Sequence, residues 1–393
     1  MSYPLGYNTW SKKELFEANK VLLSGNYTMG KKVNQFEKKF SKYFGSKYAI
    51  MVNSGSSANL LMMSALRYFP KFFKKKVKKP NIIVPVVGWS TSYYPISQCG
   101  FEINFVDINK NSLNLDVNKI NGAIDKNTVA ILAINLLGNP CDFNLLKRVC
   151  EKKKLILLED NCESLGSKFN NKFCGTIGLM GTHSLFFAHH MQTMEGGIIL
   201  TDNKDLCDIL KSLRAHGWCR DLPNRNNLYK KKNDSFKDKF TFITPGYALR
   251  PLEIQAAIGI VQLKKFKNFM KMRIKNAKIF MKLFGNKEWC NIQSEELNCE
   301  SSWYGFNILL KGKLKNKRKK IINKLIKNKI EVRPTMSGNF TKNPVIKFLQ
   351  HKINGDLKIA KLVDKNGFFL GNYPKNLENE LNLVYKLISK EIK

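Results

Sequence analysis

No apolar run in the 393-residue chain approaches the roughly 20 residues that a helix needs to cross a bilayer, so no helical membrane span and no membrane partner is expected. Met1–Trp10 lacks the charged start and apolar stretch of a signal peptide. The nine cysteines are odd in number and scattered, with no Cys-x-x-Cys or Cys-x-Cys pair. That pattern argues against a disulfide framework, a zinc ribbon and a closely ligated iron-sulfur cluster, and for a reducing, cytoplasmic setting. Acidic residues are also few, 30 against 67 Lys plus Arg, for a formal charge of +37. Within the basic set arginine is scarce, nine against 58 lysines. An arginine kept on such a background marks either a surface ion pair or a place that uses a planar, two-pronged donor. Arg214, Arg220 and Arg250 stand close to polar motifs.

What is present suits a globular protein with a large core and two or three domains' worth of mass. The lysines are spread from end to end, which makes them solvated faces rather than a nucleic-acid patch. The densest candidate, Lys315 to Lys320, leads into Ile321, Ile322, Leu325 and Ile326, the expected buried stripe of an amphipathic helix whose lysines are its wet face. No nucleic-acid partner is expected, although a field of this sign would draw in an anionic ligand.

Along the chain, Ser11-Lys12-Lys13-Glu14 has the spacing of a capping box, and the helix it starts is expected to bury Leu15, Val21 and Leu22. Val33, Phe36 and Phe40 continue at helical spacing until Gly45. The strand Tyr48 to Val52 runs through Ser54-Gly55-Ser56-Ser57 into a helix, a layout that serves either as an ordinary helix cap or as an anion site. Strands then alternate with helices: Ile82 to Val87, Glu102 to Val106, Val129 to Asn135 and Leu155 to Leu158, with helices from Ser90, near Val117 to Ala123 and over Phe143 to Lys152. Alternation of this kind implies a mostly parallel α/β sheet flanked by helices, with ligands gathering at the carboxyl ends of its strands. A large domain over 1–250 is expected. A smaller C-terminal α+β domain follows over 251–393, entered by a long connecting helix from Leu252 to Leu283 and containing a strand from Trp303 to Leu310.

Lysine makes up about one residue in seven, yet none occurs between Phe173 and Asn203. Inside that gap lies Ser184-Leu-Phe-Phe-Ala-His-His-Met-Gln-Thr-Met-Glu-Gly-Gly197. Leu185 to Phe187 reads as strand, delivering His189 and His190 to a reversal of the backbone. Adjacent histidines on an extended segment face opposite ways, so one at most easily reaches a given ligand. They read as core histidines, a metal site or a general base; His183 and His351 add no ligand spacing, and a metal is not expected.

This stretch resembles the cofactor-lysine segment of the DegT/DnrJ/EryC1/StrS sugar aminotransferases, fold-type I pyridoxal phosphate enzymes. The position of the family's lysine, six residues before Glu-Gly-Gly, is His189 here, as in the sugar 3-dehydratase branch. Thr28-Met29-Gly30 and Phe36-Glu37 match the family's opening motif, and the resemblance spans nearly the whole chain. It implies pyridoxal 5'-phosphate and pyridoxamine 5'-phosphate as cofactors, held without a covalent link. It further implies cofactor contacts from Gly55, Ser56, Trp89, Asp160, Glu163 and Ser184, with Asp160 on the pyridine nitrogen. His189 is implied as the acid-base group, with His216 as a second histidine of the branch. Arg220, Arg250 and Arg333 become candidates for carboxylate or phosphate recognition. The implied reaction removes the C3 hydroxyl of a nucleotide-linked 4-keto-6-deoxy sugar, expected to be GDP-linked, with L-glutamate as amino donor. Gly246 to Pro251 resembles a segment donated across a homodimer interface, although the family's asparagine there is Ala248. The rival readings are a nucleotide-sugar aminotransferase, an iron-sulfur dehydratase acting on a CDP-sugar, and an inactive ligand-binding relative.

Overall fold

The computed structural model describes residues 2–73, 77–230 and 235–392. The first strands are β1 (Tyr48–Val52), β2 (Asn81–Pro85), β3 (Glu102–Val106), β4 (Thr128–Ile134) and β5 (Ile156–Asp160). After two short strands, β6 (Lys168–Phe169) and β7 (Lys172–Phe173), come β8 (Met180–Ser184) and β9 (Gly197–Thr201). The C-terminal part adds β10 (Cys290–Ile292), β11 (Cys299–Glu300), β12 (Gly305–Leu310), β13 (Val332–Pro334), β14 (His351–Ile353) and β15 (Gly367–Gly371). Eight strands make the large sheet in the order β1-β9-β8-β5-β4-β2-β3-β14. From β8 to β14 every pairing is parallel; β9 alone runs against its neighbours β8 and β1. A second sheet, β10-β12-β15-β13, is antiparallel throughout.

The helices are α1 (Lys12–Leu23), α2 (Lys31–Phe44), α3 (Gly55–Tyr68), α4 (Ser90–Gln98), α5 (Val117–Ala123), α6 (Phe143–Lys153) and α7 (Lys204–Arg214). They are followed by α8 (Ser235–Lys239), α9 (Glu253–Phe284), α10 (Arg318–Lys327), α11 (Lys358–Asn366) and α12 (Glu378–Ser389). Strands buried on both faces need helices on both faces. One layer is supplied by α3, α4 and α7, through Leu61, Ile96 and Leu210. The other comes from α5 and α6, through Ile120, Phe143 and Leu146. A separate cluster built on Phe280, Phe306, Leu325 and Leu381 covers the second sheet. The chain passes between these bodies more than once, since β14 edges the large sheet while Tyr3 packs in the C-terminal cluster.

Long-range carboxylates fasten the elements. Glu253 at the start of α9 accepts from the amides of Gly30, Lys32 and Val33 at 2.8 to 2.9 Å. It therefore caps α2, whose own N-cap, Gly30, has no side chain to do so. Asp107 does the same for α11, through the Ile359 and Ala360 amides.

Several local expectations need correction. The capping box of α1 is present, but its buried stripe is Glu14, Ala18 and Val21, while Leu15 is 58% and Leu22 55% exposed. The reason is polar: Glu14 accepts from Gln262 and pairs with Lys265 on α9, which turns the helix to bury a carboxylate. Leu185 to Phe187 lies beyond the end of β8 rather than in a strand, and Phe186 and Phe187 are exposed. Ile326 is exposed as well, leaving Ile321 and Leu325 as the buried pair of α10. Trp303 precedes β12 with φ +49°, outside strand geometry. The polar stretch from Asp221 to Phe240, read from the sequence as a loop with a lysine run from Lys230 to Lys232, contains α8, and Lys231 and Lys232 lie outside the described residues.

Candidate active site

β1, β2, β4, β5 and β8 point the same way, so the residues just after them meet along one edge of the large sheet, the place where such sheets gather ligands. There a cavity of about 600 Å³ opens, within the range of small-molecule sites. Gly55, Ser56, Trp89, Asp160, Glu163, Ser184, His189 and Arg333 all line it.

The Ser54 turn forms one end. Ser54 Oγ accepts from the Ser57 amide at 3.1 Å, capping the 14-residue α3. The helix terminus and its dipole then face the cavity wall, a ready anion site. Gly55 is needed for closeness: a Cβ there would stand 2.6 Å from Ser184 Cβ. Gly55→Ala should therefore push Ser184 aside and weaken binding of a phosphate-bearing ligand by about tenfold. Titration of pyridoxal phosphate fluorescence checks it, and unchanged affinity would mean that the turn and Ser184 adjust freely.

Asp160 ends β5 and is buried, accepting from Asn59 Nδ2 at 2.8 Å, Ser92 Oγ at 2.7 Å and the Cys162 amide at 3.0 Å. It does not cap a helix. Trp89, the residue before α4, leaves half its surface open beside the cavity. Glu163 is half-buried, with Oε2 accepting from the Leu137 amide at 3.0 Å. Burial, opposed by that bond and reinforced by the Asp160 charge, pushes its carboxyl up to about 8.

His189 occupies the loop between β8 and β9. Its Nδ1 lies 2.5 Å from the carbonyl of Cys162, and its ring is flanked by Tyr304 and Phe186 at 5.0 and 6.0 Å between centroids. A carbonyl only accepts, so Nδ1 carries the proton and Nε2 keeps a free lone pair. Burial drives the imidazole down to about 4, with the Cys162 bond opposing and the charge of Arg273 assisting. His190 is the opposite tautomer. Its Nε2 bonds to Ser302 O at 3.1 Å, and its ring is buried away from the cavity.

Three sequence candidates do not join this cavity within the chain. His216 sits at φ +63°, its amide on Tyr247 O at 2.8 Å and its ring against Trp218. Arg220 stacks over Trp218 at 4.1 Å. Arg250 follows Leu249, whose carbonyl accepts from Asn53 beside the Ser54 turn, yet its side chain is not among the cavity walls. Conversely, Tyr304, Asn59 and Ser92 line the cavity without having been singled out. Tyr304 precedes a strand as any core aromatic would, and the two polar residues sit inside helices, so nothing local marks them.

The model of the DegT/DnrJ/EryC1/StrS aminotransferase family matches residues 8–389. The chain belongs to this family. It is 47% identical over 395 aligned residues to GDP-4-keto-6-deoxy-D-mannose 3-dehydratase of Yersinia pseudotuberculosis, covering 99% of each. To the enzyme of that name from Escherichia coli O55:H7 it is 45% identical, over 99% of this chain and 100% of the other. A crystal structure of GDP-4-keto-6-deoxymannose-3-dehydratase with a trapped PLP-glutamate geminal diamine superposes with a TM-score of 0.93 at 45% identity, over 98% of this chain and 100% of that one. A His-to-Asn mutant of the same enzyme, with bound GDP-perosamine, matches at the same TM-score, identity and coverage.

Proposed function

We propose that the chain is a pyridoxal phosphate-dependent 3-dehydratase that converts GDP-4-keto-6-deoxy-D-mannose to GDP-4-keto-3,6-dideoxy-D-mannose, with L-glutamate as amino donor. The observation that carries this reading is His189, a neutral imidazole with a free Nε2, at the wall of a cavity whose lining, among the described residues, includes no lysine. A lysine would hold the cofactor covalently and serve amino transfer; an imidazole can do only proton transfer there. When bound, the cofactor supplies an electron sink conjugated to the sugar's C4 carbon.

The residues present fit that group. Gly55 leaves a cradle that a Cβ would fill, beside the α3 terminus suited to a phosphate. Asp160 offers a buried carboxylate for the pyridine nitrogen, and the half-open face of Trp89 suits a stacked ring. His189 Nε2 is the group suited to take the proton at the cofactor's C4' carbon and to hand one to the departing C3 hydroxyl. Arg333, exposed at the cavity rim, suits the substrate's diphosphate.

The test is product analysis with GDP- and CDP-linked 4-keto-6-deoxy sugars side by side. Glutamate-dependent loss of the C3 hydroxyl, favouring the GDP sugar, is expected. An amino sugar as product, or preference for the CDP sugar, would overturn the assignment. This product chemistry suits a place in the making of colitose for O-antigen lipopolysaccharide.

The chain is further read as a cytoplasmic homodimer of subunits built from a 1–250 and a 251–393 unit. Leu15, Phe16, Leu22 and Leu23 give α1 an uncovered apolar face. His216, Arg220 and Arg250, which lie outside their own cavity, are assigned to the site of the second copy. Sedimentation should give about twice the 45.2 kDa of one chain; an active species of one chain's mass would remove the dimer.

A further inference from the structure

Behind Asp160 lies a chain of buried hydrogen bonds that the reaction as described does not use. Asp160 Oδ2 accepts twice, from Asn59 and Ser92, and Oδ1 once, from the Cys162 amide. The Cys162 thiol is hydrogen-bonded to the same carboxylate. The donor Asn59 is itself held. Thr182 Oγ1 donates to Asn59 Oδ1 at 2.6 Å, and Asn59 Nδ2 also reaches the Thr91 carbonyl at 3.3 Å. These two contacts fix which end of the amide meets the carboxylate, since the flipped amide would set an oxygen against two acceptors. Thr182 stands opposite Asp160 in the β5–β8 ladder, so the same sheet register that places the carboxylate places the hydroxyl behind it. Asn59, Ser92, Thr182 and Asp160 are all buried, where an oriented hydrogen bond is felt most strongly.

Resting on the reading that Asp160 faces the pyridine nitrogen, we infer that Thr182, Asn59 and Ser92 form a positioning relay that aims the Asp160 carboxylate and so sets how firmly that nitrogen holds its proton. The Asn59 amide and the Ser92 hydroxyl hold one oxygen of the carboxylate and the Cys162 amide holds the other, which fixes the direction in which the carboxylate faces. Loosening the amide or removing the serine hydroxyl lets the carboxylate turn, and the nitrogen loses part of its partner. None of the three residues touches the reacting atoms in this scheme; they act through Asp160.

The experiment uses the protein loaded with pyridoxal phosphate labelled with nitrogen-15 in the ring and follows that nitrogen by NMR across pH. The midpoint of its deprotonation should fall by about one pH unit, a tenfold change, in Thr182→Val and in Ser92→Ala. Thr182→Ser, which restores the hydroxyl, should keep the native midpoint. Valine matches threonine in shape, so a role in packing alone would leave the midpoint unmoved. Should Thr182→Val not fold, Ser92→Ala decides. A native midpoint in these variants, with a shifted one in Asp160→Asn, overturns the relay. A native midpoint in Asp160→Asn as well removes Asp160 from the nitrogen and the relay with it.

Discussion

Replacing His189 by asparagine should lower dehydration by roughly 10²- to 10⁴-fold while cofactor binding persists, because asparagine keeps a polar side chain near the Cys162 carbonyl but has no basic nitrogen. His189→Lys separates the readings further. A lysine amine at this position should capture pyridoxal phosphate covalently, visible as a spectral change and trapped by borohydride, and should suppress dehydration. Native turnover in His189→Asn would hand the role to His216. The imidazole's resting state can be checked apart from activity. Burial holds it down to about 4, below the roughly 6.5 of an unfolded chain, so NMR of the cofactor-free protein should show His189 neutral until the pH nears 4. The sign for stability follows: the unfolded chain takes up this proton first, so the contribution of neutral His189 is complete above about pH 6.5 and is lost as the pH falls towards 4.

The largest loss of stability is expected at Glu37. Its Oε1 accepts from Arg214 Nη1 at 2.6 Å and from the Met51 amide at 2.8 Å, and the same Nη1 donates to Met51 O at 2.6 Å. Both side chains are buried. Glu37→Ala strands a buried guanidinium and should cost about 3–5 kcal/mol, read as a drop in the urea midpoint. Because Met51 lies three residues before the Ser54 turn, cofactor affinity should fall with it. The double variant Glu37→Ala/Arg214→Met removes the stranded charge and should recover part of the loss. A midpoint unchanged in Glu37→Ala would show the pair to be dispensable.

Arg214 also illustrates what reading along the chain can reach. Its rarity among lysines singled it out, but a buried clamp and a surface ion pair look alike in sequence, because the acid partner lies 177 positions away. The same limit explains α1, where spacing suggested Leu15 and Leu22 as the inner face. Packing against Gln262 and Lys265 chose Glu14 instead, at the cost of leaving the leucines uncovered.

By itself the sequence determined the alternation of strands and helices, the capping box, the Ser54 turn at the head of α3 and a lysine-free segment with His189 where a lysine is usual. These are signals of local origin: side-chain period, cap chemistry within four residues, and the presence or absence of a functional group at one place. Strand periodicity left open which of the two adjacent histidines meets a ligand, and the tertiary structure puts His189 at the cavity wall. The alternation rule for a strand lapses after Ser184, where β8 ends, and the two rings are then turned by carbonyls from elsewhere in the chain, Cys162 for His189 and Ser302 for His190. It likewise decided the tautomer of His189, the company of Tyr304, and the hydrogen-bonded backing of Asp160. Each of these depends on groups far apart in sequence whose partners become defined only when the sheet register and the loops above it are in place.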